Sequence, residues 1–203
     1  MAQIAPTKGN LMAAKNTLRL SRQGYEMLDK KRNILIREMM ALIDEAKVIE
    51  EKIETTFSGA YHALESANIM MGCETVEQLA HSAEVEENVQ INLRSVMGVE
   101  LPITNLLQKT SKPSYSFYET TSAFDETFVR FSDVKRLAVR LAEIENSVYR
   151  LALGIKKTQK RANALKNITI PMYEKITKEI INSLEEKERE EYTRMKMIKQ
   201  KNR

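Results

Sequence analysis

Beginning at Leu11, alternate steps of three and four residues land on Ala14, Leu18, Ser21, Tyr25, Leu28, Arg32, Leu35, Met39, Leu42, Ala46, Ile49 and Ile53. Only Ser21 and Arg32 interrupt this apolar series, and charged residues fill the positions between. A 3.5-residue repeat held for about six heptads keeps one stripe of a helix facing a partner and predicts a left-handed coiled coil. The register continues through Thr56, Ala60, Ala63, Ala67 and Met70, so the first helix is expected from about Thr7 to about Met71. At 1.5 Å per residue such a helix is about 95 Å long.

A second series starts at Val134 and visits Leu137, Leu141, Ile144, Val148, Leu151, Ile155, Thr158, Ala162 and Leu165. Beyond Leu165 the apolar steps become fours, through Met172, Ile176, Ile180 and Leu184. That spacing drifts against a 3.5 repeat and implies a local stutter. Pro171 lies in the same stretch. It removes one backbone hydrogen bond and predicts a bend or a local break.

Two amphipathic helices in one chain satisfy both seams by folding back on each other. The expected fold is therefore mostly α, a long antiparallel two-helix coiled coil with a short central helix and a β-hairpin in the connector. Its segments are 1–72, the N-terminal helix, 73–120, the connector, and 121–203, the C-terminal helix. In the connector, Thr75 to Ala83 reads as a short helix with Thr75 as its N-cap. Val89, Ile91 and Leu93, then Val99, Leu101 and Ile103, alternate with polar residues around Met97-Gly98. This is a hairpin pattern, expected to end at Pro102 and the polar run Lys109 to Ser116. A helix start is expected near Ser122, paired with Asp125 in a capping-box-like arrangement. With the termini level, partner numbers sum to about 203, which sets Arg32 opposite Pro171. One reading makes that level a bend in the coiled coil; the other makes the two residues independent defects.

Composition agrees with long helices. Aromatic residues are 6% of 203 and tryptophan is absent, which poorly equips a compact globule. Cys73 is the single cysteine, so no internal disulfide forms. No signal-peptide pattern opens the chain and no run of about eighteen apolar residues spans a bilayer, which predicts a cytoplasmic protein whose link to any membrane runs through a partner. Residues 132–203 carry 18 basic against 10 acidic groups, while 58–131 carry 4 against 10. The acids within Glu185 to Glu191 argue against a phosphate-binding stripe, so nucleic acid is not the expected partner.

Chemistry finds no foothold. No glycine loop closing on Gly-Lys-Ser/Thr exists to cradle phosphates, and Gly154 beside Ile155, Lys156 and Lys157 reads as a close-packing site in mid-helix. His62, Cys73 and His81 match no zinc spacing. The histidines read as surface residues and Cys73 as a small apolar filler. Met39 and Met70 read as seam filler, whereas Met40 and Met197 stay open between seam and adaptable surface. No catalytic residue, cofactor or metal is expected.

The run Pro6-Thr7-Lys8-Gly9-Asn10-Leu11, followed by Lys15, Leu18, Gly24, Leu28 and Lys30-Lys31-Arg32, resembles the opening of the D subunit of V-type and archaeal A-type ATPases. The far end resembles it too, in Thr158-Gln159-Lys160-Arg161-Ala162-Asn163-Ala164-Leu165, Ile170-Pro171, Glu186 to Tyr192, and Lys196. Ala162 departs from the valine common there. The resemblance implies a non-catalytic central stalk, the rotor shaft coupling ATP hydrolysis or synthesis in a hexamer to ion translocation through a membrane rotor. The partners it implies are the catalytic A and regulatory B subunits of the hexamer, the small F subunit of the stalk, and the C or d subunit of the membrane-rotor collar. It places Thr7, Lys8, Lys15, Arg19, Arg22, Glu188, Arg189, Arg194, Lys196 and Lys199 in the hexamer and 73–117 near the collar. Proton or sodium coupling, and the direction of working, belong to other subunits.

The rival readings are a prefoldin-like holdase, which also joins coiled-coil helices through hairpins, and a passive tether. A holdase requires apolar tips to capture clients, whereas the tip from Glu185 to Glu191 is charged.

Overall fold

The computed structural model describes residues 5–81, 89–106, 115–118 and 120–201. Helix α1 spans Lys8–Met71 and α2 spans Cys73–Ala80, followed by strands β1 (Val89–Val96) and β2 (Val99–Leu106). Helix α3 (Ser122–Ala164) runs through a π-helical turn (Leu165–Thr169) into α4 (Ile170–Lys201). The end of the expected short helix, at Ala83, and the start of the polar run, at Lys109, lie outside the described residues. The chain forms two compact units, one of residues 1–33 with 155–203 and one of residues 34–154.

In the first unit the start of α1 lies antiparallel to α4 and the end of α3. Thr7 caps α1: its Oγ1 accepts from the Asn10 amide at 3.2 Å and its carbonyl accepts from the Leu11 amide. Cross-helix partners are Lys8 with Glu188, Arg22 with Glu174, Tyr25 with Lys166, and Arg32 with Gln159. Arg32 is therefore not level with Pro171, as a sum of 203 required. The termini are staggered instead, because Glu188 meets the first residue of α1 and α4 continues to Lys201. The Arg32 guanidinium is half-buried, held by Gln159 at 2.8 Å and Asp29 at 2.6 Å, so a cation in the seam has its polar partners close by.

The stutter has a physical form. The Ile170 amide bonds to the Leu165 carbonyl, an i to i−5 bond, immediately before Pro171. A proline cannot donate to the preceding turn, and a π-turn inserts one residue where that ladder is interrupted. The displacement is local: Met172, expected in the seam, is exposed and Tyr173 is half-buried in its place, while the expected Ile176, Ile180 and Leu184 stay half-buried or buried, with Thr177 buried beside them.

In the second unit the rest of α1 lies antiparallel to α3. Leu35, Ile144 and Leu151 are fully buried, with Ile49, Ala60, Ala63, Ala67 and Val134 also in the core. The three alanines let the helices approach closely. Phe57 stacks on Tyr61, which meets Phe131 edge-on at 5.7 Å. Met70 is 67% exposed rather than seam filler, because the helix ends one residue later. Gly72, at φ 85°, breaks the chain there and starts α2 at Cys73, two residues before the expected cap at Thr75. Cys73 is consequently exposed on the first turn of α2 rather than packed as filler. Val76 of α2 packs with Ala67 and Phe124.

The hairpin closes through Met97 and Gly98, at φ 50° and 73°, between paired Val96 and Val99. Two positive φ values match the twist of a two-residue hairpin, as in a type I′ turn. The left-handed region costs methionine about 1–2 kcal/mol there. Met97→Asn is therefore expected to raise unfolding stability by about 0.5–1 kcal/mol, read by denaturant titration.

Pro102 does not end β2 but sits inside it, opposite Leu93. Counting outward from the closing pair, hydrogen-bonded and non-bonded pairs alternate, and Leu93 with Pro102 is non-bonded. The missing N–H thus points away from β1 and interrupts no ladder bond. Helix α3 starts at Ser122, as expected, and Thr121 just before it closes the first turn, its carbonyl accepting from the Phe124 and Asp125 amides. The Asp125 carboxylate instead accepts from the Tyr115 hydroxyl at 2.7 Å.

Candidate functional site

Two surfaces follow from these elements, one in each unit. In the first, Lys8, Lys15, Arg19, Arg22, Glu188, Arg189, Arg194, Lys196 and Lys199 are all exposed. They do not form one kind of site. Thr7 is engaged in the α1 cap, and Lys8 and Arg22 pair across the helices with Glu188 at 3.3 Å and Glu174 at 2.6 Å. Lys15, Arg19, Arg189, Arg194, Lys196 and Lys199 make no ion pair among the described residues.

Every residue of α4 from Glu185 to Lys201 is exposed, and most of them lie beyond the last α1 residue available to pair with them. Tyr192, Met195, Met197 and Ile198 stand exposed among these charges. The tip is therefore not purely polar, contrary to what Glu185 to Glu191 alone suggest. Met40 and Met197 are both exposed, whereas Met39 is half-buried.

The seam positions form no outward surface. Leu35, Ile49, Ile144 and Leu151 are buried, and Leu11, Leu18, Leu28, Leu42, Ile53, Leu137, Leu141, Val148, Ile155 and Leu165 are half-buried.

In the second unit the hairpin is held by one face and one edge. Leu101 is fully buried and Val99 lies so close to Gly154 that an added Cβ would meet its Cγ2 at 2.8 Å. Gly154 is a close-packing site for the hairpin. Arg94 pairs with Glu38 of α1 at 2.7 Å. At the outer edge of β2, Glu143 Oε2 accepts from the Thr104 amide at 3.0 Å and its hydroxyl at 2.7 Å, and Arg150 donates to the Glu100 carbonyl. Glu143 is buried, and its other oxygen meets Arg140, which also reaches Glu45 at 2.7 Å. The Glu45 hydrogen bond, aided by the Glu143 and Glu45 charges, raises the Arg140 pKa against the opposing effect of burial.

Sequence reasoning missed Glu143 because it counted the acids between seam positions as solvated. Its available signal was adjacency to Ile144, a seam residue. The aromatic group around Tyr115 was missed as well: its ring meets Phe124, Phe128 and Phe117 edge-on. Burial, then the hydrogen bond to Asp125, pushes the Tyr115 phenol up to about 12.

Among the described residues no helix is long and apolar enough to cross a membrane. His62 sits 3.6 Å from Glu65, and no group of three His, Cys, Asp or Glu side chains is gathered for a metal among the described residues.

Residues 10–200 match the family model for the D subunit of ATP synthase. The chain belongs to the ATP synthase D-subunit family. It is 43% identical over 198 residues to the D subunit of the V-type ATP synthase of Thermotoga neapolitana, covering 98% of each chain. It is 34% identical over 200 residues to the D subunit of the A-type ATP synthase of Pyrococcus horikoshii, covering 97% of this chain and 94% of the relative. With that of Methanobrevibacter smithii it shares 36% identity over 199 residues, covering 97% and 86%. The D-subunit match includes the overhanging end of α4 and the hairpin alike, so both surfaces belong to the family's shared length.

Proposed function

We propose that the chain is the central rotor shaft of a rotary V/A-type ATPase, a non-catalytic component that couples ATP hydrolysis or synthesis in a hexamer to ion translocation. The observation that carries this reading is the overhang of α4, whose exposed cations and apolar side chains extend past their intramolecular partner helix, in a chain matched to the D subunit from 10 to 200. A protein surface built this way suits a surrounding socket. One asymmetric shaft inside a ring of three repeats presents a different face to each, so the three sites differ in free energy and rotation moves those differences around the ring.

The partners proposed are the A and B subunits around the terminal end, the F subunit on the flank, and the C or d subunit of the collar at the connector end. The protein is then cytoplasmic and peripheral, joined to the membrane through the complex. Exposed ion pairs suit the tip because each is worth only about 1 kcal/mol or less and re-forms at each step.

The chain is expected to co-purify with an ATP-hydrolysing hexamer and to hydrolyse no ATP alone. Failure to bind the hexamer at micromolar concentration overturns the reading. Reversing charge at Arg189 or Lys196 is expected to weaken hexamer binding about five- to tenfold, by roughly 1 kcal/mol of lost attraction and added repulsion. Circular dichroism should show the same helicity as the parent; loss of helix would assign these residues to folding instead.

A further inference from the structure

The two edges of the hairpin are treated differently. On β2, the outward edge is partly taken up: Pro102 has no N–H, the Thr104 amide bonds to Glu143, and the Glu100 carbonyl accepts from Arg150. On β1, the same alternation turns the backbone N–H and C=O groups of Val89, Ile91 and Leu93 outward. No hydrogen bond meets them among the described residues. The side chains of those three residues share the hairpin face opposite Leu101 and are 38%, 65% and 60% exposed.

Proteins commonly guard such an edge with lysine, proline or a bulge. Here the register runs unbroken from Val89 to Val96 without any of these, and the lone cation, Arg94, is drawn to Glu38 on the opposite face. An unguarded edge and an apolar ladder thus coincide on one strand. A helix laid on this face would cover the side chains and leave the edge amides unpaired, whereas an extended strand satisfies both.

We propose that β1 receives an extended segment from another protein of the assembly by strand addition, with apolar residues at alternate positions facing the side of Val89, Ile91 and Leu93. This rests on the reading that the chain works inside an ATPase assembly. A second copy of this chain is disfavoured by area. Three such side chains offer on the order of 100 Å² each, far below the roughly 800 Å² per partner of a stable interface. A strand anchored elsewhere in the assembly needs no such area of its own.

The test is site-resolved hydrogen exchange on the full chain, alone and reconstituted with the other ATPase subunits. Alone, the Ile91 and Leu93 amides should exchange fast while those of Asn92 and Arg94, bonded to β2, are protected. On assembly, Ile91 and Leu93 should slow at least tenfold, and Leu93→Lys should abolish that slowing without preventing assembly. Assembly with both amides still fast overturns strand addition and leaves the rotor reading standing. Protection already present in the free chain, rising with its concentration, overturns it in favour of a second copy. A chain that never assembles overturns both readings.

Discussion

Gly154→Ala is expected to lower the stability of the unit formed by residues 34–154, although alanine is the better helix former by about 1 kcal/mol. The new Cβ would stand 2.8 Å from Val99 Cγ2, and valine is short and stiff at χ1, so the hairpin itself must move. Overpacking of this kind costs about 1–3 kcal/mol, which against that gain leaves a net loss of up to about 2 kcal/mol. Adding Val99→Ala should recover most of the overpacking cost, a coupling that a double-mutant cycle by urea titration measures directly. Gly59→Ala is the control with the opposite sign. Its Cβ would meet only the Arg130 guanidinium at 2.6 Å, the mobile end of a long side chain. Swinging that group away sacrifices an exposed pair with Glu126 worth about 0.3–0.5 kcal/mol, so Gly59→Ala should stabilise by roughly 0.5 kcal/mol. If both alanines acted alike, the packing account of Gly154 would fail.

Glu143→Ala should cost more, about 2–3 kcal/mol. It leaves the Thr104 amide and hydroxyl without their acceptor at the edge of β2 and removes one carboxylate from Arg140. Glu143→Gln retains one carbonyl oxygen to accept from Thr104 but turns its amide group toward Arg140, and should cost about 1 kcal/mol. Hydrogen exchange at Thr104 separates this account from a general loss of packing. The amide should speed up in Glu143→Ala while that of Leu101, bonded to Arg94 across the hairpin, changes only with global stability. Equal acceleration at both would place the loss elsewhere.

What the sequence made legible depends on whether a feature is periodic or relational. The seam was legible because Leu35, Ile49, Ile144 and Leu151 recur with a period that only a partnered helix needs, and all four are buried. The hairpin was legible from alternation about Met97-Gly98. The phase between the helices was not, because a repeat states how often a stripe returns and not which turn meets which. Arg32 accordingly met Gln159 and not Pro171. Pro171 announced a disturbance, yet the inserted residue lies upstream, at Leu165–Thr169, where the carbonyl ladder rearranges. Pro102 looked like a terminator because its tolerance depends on which edge it faces, a parity fixed only once the turn is known. Glu143 was hidden by composition: one acid among many on a helix, distinguished only by the strand that folds onto it.

Cys73 is the chain's single cysteine, and it stands exposed on the first turn of α2 with Gly72 before it. A maleimide probe would therefore mark one site per molecule without removing any other thiol. A fluorophore or bead placed there turns the mechanical reading into something to be watched, since a tag fixed to a turning shaft must trace stepped circles under ATP and rest without it.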